Sequence, residues 1–257
     1  MTKTGRTLAK VTRPRRPLFR VLTLGRFQVF RDGRPLAWTR KAPRKPLELL
    51  KAAIAFGRAE VPVHRLAEAL WPDADGDRAM QAFESTLYRL RHVLGDKQGL
   101  VLHNGQLSLD PDRVWVDAVA FEALLRRHET IEQGLALYQG RFLEGTDAPW
   151  VLLRREALHQ TFLDHLDYVG QRHAGAKRWE RAITWYQRGL EIDPLAEVCY
   201  RRLMAAYLRL GRRAEGLVVY RRCRTMLEAH MQVSPSRETE MLARQLRVTT
   251  RDTPPNR

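Results

Sequence analysis

The chain has 257 residues, 44% of them hydrophobic, which is enough for one large domain or two modest domains with folded cores. Its formal net charge of +16 favours polyanionic partners, namely nucleic acid, acidic protein surfaces or anionic lipid. No apolar run reaches the roughly 18 residues of a transmembrane helix, no secretory signal opens the chain, and the two cysteines fit a reducing compartment, so we expect a soluble cytoplasmic protein.

The N-terminal part changes character at about residue 18. Residues 1–17 contain basic residues, no acidic ones and almost no hydrophobic periodicity, so we predict a disordered arm. β-Forming residues then alternate from Phe19 to Trp38, and Asp32-Gly33 is a hairpin-turn signal. The pattern predicts a small antiparallel sheet of about three strands.

Two short helices are predicted next. A basic loop over residues 40–45 leads to Pro46, whose fixed φ favours the first position of a helix. Apolar residues recur after it at helical spacing and predict an amphipathic helix that ends near Gly57. The second helix is predicted over residues 64–71, where Pro72 would end it.

A third, longer helix follows the loop at residues 73–76, with Asp77 as its predicted N-cap. Its buried stripe is predicted to consist of Ala79, Phe83, Leu87, Leu90 and Leu94. Long polar and cationic side chains dominate the opposite face, and such side chains can reach base edges and phosphates in a major groove. That face is predicted to contain Arg78, Gln81, Glu84, Ser85, Tyr88, Arg89, Arg91 and His92.

A β-hairpin is predicted directly after this helix. Alternating segments at residues 100–103 and 106–109 flank Asn104-Gly105, which is the strongest short hairpin signal. A hairpin that follows a recognition helix is a wing, so this order of elements predicts a winged helix-turn-helix, a DNA-reading module. The wing tip, formed by His103 and Asn104, is weakly basic.

The C-terminal half is helical and repetitive. Helices are predicted to begin at Asp117, Thr130 and Pro149. The pattern that starts at Lys177 returns 34 residues later, with small residues and an aromatic residue at the positions that a tetratricopeptide repeat requires. A final helix over residues 238–246 would cap the stack.

These patterns predict an α+β winged helix-turn-helix domain followed by an all-α, tetratricopeptide-like helical repeat domain. We place the first domain at residues 18–112, the second at residues 113–247 and a flexible tail at residues 248–257. The repeat aromatics and both cysteines are predicted to be buried in the core rather than to bind a ligand or metal. These residues are Trp179, Tyr186, Tyr207, Tyr220, Cys199 and Cys223.

An ordered set of motifs extends over residues 19–247. It consists of Leu24-Gly25-Arg26-Phe27, Arg44-Lys45, Ala69-Leu70-Trp71-Pro72, Tyr88-Arg89-Leu90-Arg91, Leu94-Gly95, Trp115-Val116-Asp117 with Phe121, and Ser234-Pro235-Ser236. By this set the chain resembles the bacterial transcriptional activator domain family, also called the Streptomyces antibiotic regulatory protein type. The resemblance implies an OmpR-like winged helix that binds direct repeats near promoters, and a helical domain that mediates dimer contacts and regulation.

The third helix supplies most of the predicted DNA contacts. Phosphate contacts position a protein on DNA, whereas base contacts specify the sequence. A basic cluster near the first helix could bind phosphate beside free N–H groups, although a plain surface cluster explains it equally well. We predict base-edge contacts by Arg78, Gln81, Ser85 and Tyr88, phosphate contacts by Arg89 and His92, wing contacts by His103 and Asn104, and further phosphate contacts by Arg40, Lys41, Arg44 and Lys45.

Two features qualify this assignment. Glu84 lies where a DNA-facing position is expected, and its carboxylate would repel phosphates unless it accepts a hydrogen bond from a cytosine amine or points away from the groove. The loop before the third helix is acidic, and the resemblance to OmpR-like activators makes Asp73, Asp75 and Asp77 candidates for contact with RNA polymerase. The simpler alternative is that acidic residues stabilise the N-terminus of that helix through its dipole.

The sequence therefore predicts a transcription regulator that binds double-stranded DNA, an activator that acts as a homodimer on DNA and contacts RNA polymerase. No cofactor, metal or membrane partner is expected, and no enzyme is indicated, because GxSxG, GxGxxG and Walker A motifs do not occur. Two alternatives stay open. One is a protein-interaction module whose winged helix docks a partner, and the other is a signal-gated piece of a larger sensor system.

Overall fold

A computed structural model describes residues 17–37 and 43–248. They form two compact units, of which the first comprises the chain up to residue 120 together with residues 143–154. The second unit comprises residues 121–142 and the chain from residue 155 onward. Trp38, Arg40, Lys41, nearly all of the predicted arm and the tail after residue 248 lie outside the described residues, so the predictions about them stay predictions.

The first unit begins with a small sheet. Strands β1 (Phe19–Leu22), β2 (Gln28–Arg31) and β3 (Arg34–Pro35) are antiparallel, and Asp32 and Gly33 both have positive φ at the turn. The predicted three-stranded hairpin arrangement is therefore confirmed. A fourth strand at Val114–Val116, numbered β7 in chain order, pairs in parallel with β1, so the sheet extends beyond the predicted boundary at residue 112.

Three helices pack together behind the hairpin elements. They are α1 (Arg44–Ala55), α2 (Val63–Leu70) and α3 (Gly76–Leu94). Helix α1 begins two residues before Pro46, because Pro43 occupies the N-cap and its carbonyl accepts a hydrogen bond from the Leu47 N–H at 3.1 Å. The apolar stripes of all three helices are buried, with Leu50, Leu66 and Phe83 among the most deeply enclosed side chains.

Helix α3 ends where it was predicted to end but begins two residues earlier, because its N-cap differs from the predicted one. Asp75 rather than Asp77 is the N-cap residue, since its carboxylate accepts a hydrogen bond from the Arg78 N–H at 2.9 Å. Asp77 lies inside the first turn, where its charge still favours the positive end of the helix dipole. Gly95 ends the helix in the left-handed conformation, with φ of 66°.

The wing has the predicted form. Strands β5 (Leu100–His103) and β6 (Gln106–Leu109) are antiparallel, and both Asn104 and Gly105 adopt positive φ at the two-residue turn. Strand β4 (Val61–Pro62) pairs with the other edge of β6, which gives the order β4-β6-β5. The buried Leu100, Leu107 and Leu109 anchor the hairpin in the core of this unit.

Helices make up the rest of the described chain. Their bounds are α4 (Asp117–Leu125), α5 (Ile131–Leu137), α6 (Pro149–Gly175), α7 (Trp179–Ile192), α8 (Glu197–Arg209), α9 (Arg213–Met231) and α10 (Arg237–Arg247). Helices α7 and α9 start 34 residues apart and each is followed by a partner helix, as in a tetratricopeptide repeat. The predicted fold class, a winged helix-turn-helix followed by a helical repeat domain, is confirmed.

Small residues allow close helix approach in the repeat region. A Cβ atom at Gly189 would lie 2.6 Å from the Cys199 Sγ, so a larger side chain would collide there. Both cysteines are buried free thiols, as predicted, and burial raises their pKa values to about 12. Tyr186, Tyr207 and Tyr220 are buried core residues, as predicted. Trp179 is only half-buried at the first position of α7, so its predicted burial in the core is not confirmed. None of the described helices combines the length and apolar character that crossing a membrane requires.

Candidate nucleic-acid interface

The outward face of α3 presents every DNA-contact residue that the sequence predicted for this helix. Arg78, Gln81, Ser85, Tyr88, Arg89 and His92 are all exposed. Tyr88 is 69% exposed, which is unusual for an aromatic side chain that no partner covers. Glu84 is also exposed on this helix. The face therefore offers cationic, amide, hydroxyl and aromatic groups together with one carboxylate.

Interactions at the C-terminal end of α3 fix the helix in the first unit. The Arg31 guanidinium donates to the Leu94 carbonyl at 2.9 Å, and Arg113 forms an ion pair with Asp96 at 2.7 Å. Burial favours the neutral acid at Asp96, but hydrogen bonds from Arg113 and the Gly99 N–H hold the pKa of its carboxyl below the ordinary value. These clamps join segments far apart in sequence, so local patterns did not predict them.

The sequence placed Arg91 on the solvent-facing side of α3, and the structure differs from that prediction. Its Nη2 donates to the Leu100 carbonyl at 2.7 Å, and the side chain is half-buried. Arg91 thus connects α3 to the first strand of the wing. This hydrogen bond holds α3 and the hairpin together, so the Arg91 side chain is less available to a partner than its exposed neighbours are.

A hollow beside α3 brings together two segments that are distant in sequence. Tyr88, Arg89 and His92 line one side of it, and Arg44 and Lys45 at the start of α1 line the other. We call this surface the basic hollow. Cations gathered in this way around one concave surface suit a phosphate group.

The two cations from α1 are not equally available. Arg44 and Lys45 both contact Glu48, at 2.9 and 3.1 Å, and Lys45 also donates to the Leu70 carbonyl at 3.0 Å. Burial alone would raise the pKa of Glu48, but hydrogen bonds from both cations hold it below its ordinary value. The Arg44 side chain is 89% exposed and keeps N–H groups for another partner, whereas the Lys45 ammonium is largely occupied.

A second hollow on the other side of Tyr88 contains residues that the sequence did not single out. Lys97 and Gln98, in the loop after α3, line it together with Tyr88 and His92. Tyr88 and His92 thus border both hollows. The loop is irregular, so no helical or strand periodicity indicated which of its side chains would lie beside α3.

The wing tip lies at the protein surface. His103 and Asn104 are exposed, and the neighbouring Leu102 is 41% exposed.

In the acidic loop before α3, Asp75 caps the helix and lies 3.4 Å from the Arg78 guanidinium, so it already has a local role. Asp73 and Asp77 are exposed, and their contact with RNA polymerase stays a prediction.

Comparisons with known proteins identify relatives of this chain. The family described as Bacterial transcriptional activator domain matches residues 114–247. The Regulatory protein AfsR of Streptomyces coelicolor is 29% identical over 233 residues, which cover 82% of this chain and 22% of that protein. The AfsR of Streptomyces griseus is 27% identical over 201 residues, covering 70% and 20%. The chain thus spans about a fifth of the length of these relatives.

A solved structure shares the fold. Mycobacterium tuberculosis EmbR, determined in complex with a low-affinity phosphopeptide, superposes with a TM-score of 0.62 at 20% identity. The match covers 90% of this chain and 65% of the EmbR chain. The similarity supports the architecture described above, a small winged-helix region followed by helices.

Proposed function

The chain belongs to the bacterial transcriptional activator domain family, and from this premise we propose that it is a transcription activator that binds specific double-stranded DNA through its winged helix. The observation that carries the proposal is the exposed face of α3 beside the basic hollow. Arg89 is exposed there and has no hydrogen-bond or ion-pair partner among the described residues, so its charge is available for a phosphate.

In the proposed complex α3 lies in a major groove. Gln81 and Arg78, in its first half, can form bidentate hydrogen bonds with base edges. The Ser85 hydroxyl donates to the Ala82 carbonyl at 3.2 Å, so it would serve a base as an acceptor. Arg89, His92 and Arg44 would contact phosphates on either side of the groove and fix the position of the helix.

The assembly on DNA is a further part of the proposal. Two protomers would bind direct repeats on one face of the duplex, each with its own α3 in a major groove. Asp73 precedes α3, and Asp77 lies in its first turn. Both carboxylates are exposed and could contact RNA polymerase. Family membership supports a regulatory role. Experiment must test two further expectations, namely the spacing of the repeats and the contact with RNA polymerase.

A protein-docking role is the second candidate. Glu84 on α3 and the exposed Val101 and Leu102 on the wing suit a protein surface better than a phosphate backbone. A docked protein would give binding that changes little with salt, whereas each phosphate contact in a DNA complex adds about one unit to the slope of log K against log salt. Salt dependence therefore separates the two functions.

Substituting Arg89 with alanine is expected to weaken binding to all DNA sequences by a similar factor, about three- to tenfold, and to reduce the salt slope by about 1. The reason is that a phosphate contact carries no sequence information. Fluorescence anisotropy on specific and scrambled duplexes over a range of salt concentrations measures both quantities. Arg127→Ala removes the same charge from an exposed position outside α3 and serves as the matched control. An unchanged slope in Arg89→Ala would remove Arg89 from the interface.

Substituting Gln81 with alanine is expected to act differently. Loss of a bidentate base contact should cost about 1–3 kcal/mol on the preferred site and relax the preference at one base position. Binding to scrambled DNA should stay the same, because no phosphate contact is lost. Selection of duplexes by the variant and by the wild type shows the position affected. Identical preferences and affinities would mean that Gln81 faces away from the groove.

A further inference from the structure

A cavity within the first unit lies beside the proposed DNA contacts and has not yet been assigned a ligand. It has a volume of about 650 Å³ and lies between α1, the end of α2 and residues 145–150. Small-molecule sites in proteins typically have volumes of about 300–1,000 Å³ and combine apolar walls with a few polar groups. We call it the Lys51 cavity, after the lysine on its wall.

Lys51 is a half-buried cation without a counter-ion. Its ammonium lies 4.6 Å from the centre of the Phe27 ring and 3.1 Å from the Thr146 hydroxyl. Among the described residues no carboxylate lies within ion-pair distance of it, and Glu48 is already engaged by two other cations. Burial lowers the pKa of Lys51, which shows that the charged form lacks full compensation.

The remaining walls indicate what kind of anion would fit. Phe27, Leu47, Leu70 and Trp150 provide apolar and aromatic surfaces. The Trp150 ring is itself held by a tilted contact with Phe56, at 6.4 Å between ring centres. The cavity lining includes three cations, Arg44, Lys45 and Lys51, and two carboxylates, Glu48 and Asp147. The excess of one positive charge matches one negative charge on a ligand, and the aromatic walls match a flat ring.

We propose that the Lys51 cavity binds a small aromatic carboxylate, with the carboxylate paired to the Lys51 ammonium and the ring lying between Phe27 and Trp150. Asp147 at the rim is exposed, so water screens its repulsion of the anion.

The cavity also has a connection to the basic hollow. Arg44 and Lys45 line both of them. A bound carboxylate would attract the Arg44 guanidinium away from a DNA phosphate, so occupancy should weaken DNA binding. This consequence rests on the proposed function, whereas ligand binding itself does not, so the two are measured separately.

Binding is tested first without DNA, by ligand-observed NMR on the full chain. The probes are benzoate, 2-naphthoate and indole-3-carboxylate, each paired with its uncharged amide. We expect at least one carboxylate to bind with a Kd on the order of 1 mM, as ligands of this size allow, and its amide to bind at least about tenfold more weakly. Inorganic phosphate serves as a further probe, which tests whether the cavity binds any anion regardless of an aromatic ring.

Variants locate the site. Lys51→Met keeps the length of the side chain and should lose the preference for carboxylate over amide, whereas Lys97→Met removes an exposed lysine and should keep it. Should Lys51→Met fail to fold, Trp150→Ala provides a second test, because it removes the aromatic wall and should weaken carboxylate and amide alike.

Four results would overturn the proposal. Three of them are binding of acids and amides with equal affinity, unchanged binding in Lys51→Met, and no binding of any carboxylate up to about 10 mM. Binding of inorganic phosphate as tight as that of the aromatic acids would equally reject an aromatic site. A DNA titration with and without the tightest acid then tests the connection. Unchanged DNA affinity would disprove the connection alone, and absence of DNA binding without the acid would disprove the proposed function instead.

Discussion

Substituting Asp117 with alanine is expected to destabilise the first unit by about 3–5 kcal/mol, the largest effect of any single substitution considered for this protein. The carboxylate is buried and accepts hydrogen bonds from the backbone N–H groups of Thr23, Leu24 and Ala118 and from the Thr23 hydroxyl, at 2.6–2.9 Å. It joins the end of β1 to the start of α4. Removing it leaves three backbone donors without a partner in a buried place.

Hydrogen exchange measures this effect locally. The Thr23 and Leu24 amides should exchange much faster in Asp117→Ala than in the wild type, and chemical denaturation should show an earlier transition. Asp112→Ala removes an exposed aspartate five residues earlier and should leave both measurements unchanged. Asp117→Asn should give an intermediate loss, because an amide oxygen can accept some of the bonds while its NH₂ group faces the remaining donors. Equal stability of Asp117→Ala and wild type would refute the role assigned to this carboxylate.

Substituting Gly170 with alanine is expected to destabilise the second unit by about 1–3 kcal/mol, even though alanine favours helices. A Cβ atom at this position in α6 would lie 2.3 Å from the ring of Tyr186 on α7. The ring is rigid and 2% exposed, so it cannot turn away without displacing its neighbours. The cost of overpacking should therefore exceed the gain of about 1 kcal/mol in helix propensity.

The same helix contains a matched control. Gly175, the last residue of α6, has open space where a Cβ atom would lie, so Gly175→Ala should be neutral or slightly stabilising. Thermal unfolding of both variants, monitored by circular dichroism, gives the comparison. A Gly170→Ala protein as stable as Gly175→Ala would mean that α6 and α7 are less closely packed than described.

Elements with a local repeating pattern could be predicted from the sequence. The buried stripe of α3 and its outward polar face follow a helical period over five turns, and Asn104-Gly105 determines its turn through the conformations those residues allow. The 34-residue repeat likewise depends on spacing alone. These features explain why the residues predicted to contact DNA could be assigned to one face of α3.

Features that depend on contacts between distant segments could not be predicted. The three-residue strand β7 pairs with β1 across more than 90 residues, and the local motif that contains it indicated only the start of a helix. Arg89 and Arg91 are both arginines on the polar side of the helical pattern, so the sequence did not distinguish them. In the structure Arg91, unlike Arg89, donates a hydrogen bond to a carbonyl of the wing strand. The choice of Asp75 over Asp77 as the N-cap depends on where helix α3 begins, which the Asp-Gly-Asp sequence leaves open.

Selection of duplex DNA from a random pool by the purified full chain, followed by titration of the winning sequence against salt, tests the central claim most directly. We predict recovery of a direct repeat whose half-sites lie about one helical turn apart, and a binding constant that falls steeply with salt. Arg89→Ala should flatten that dependence. A pool without any enriched sequence, together with binding that is insensitive to salt, would contradict the account and favour a winged helix that docks a protein partner.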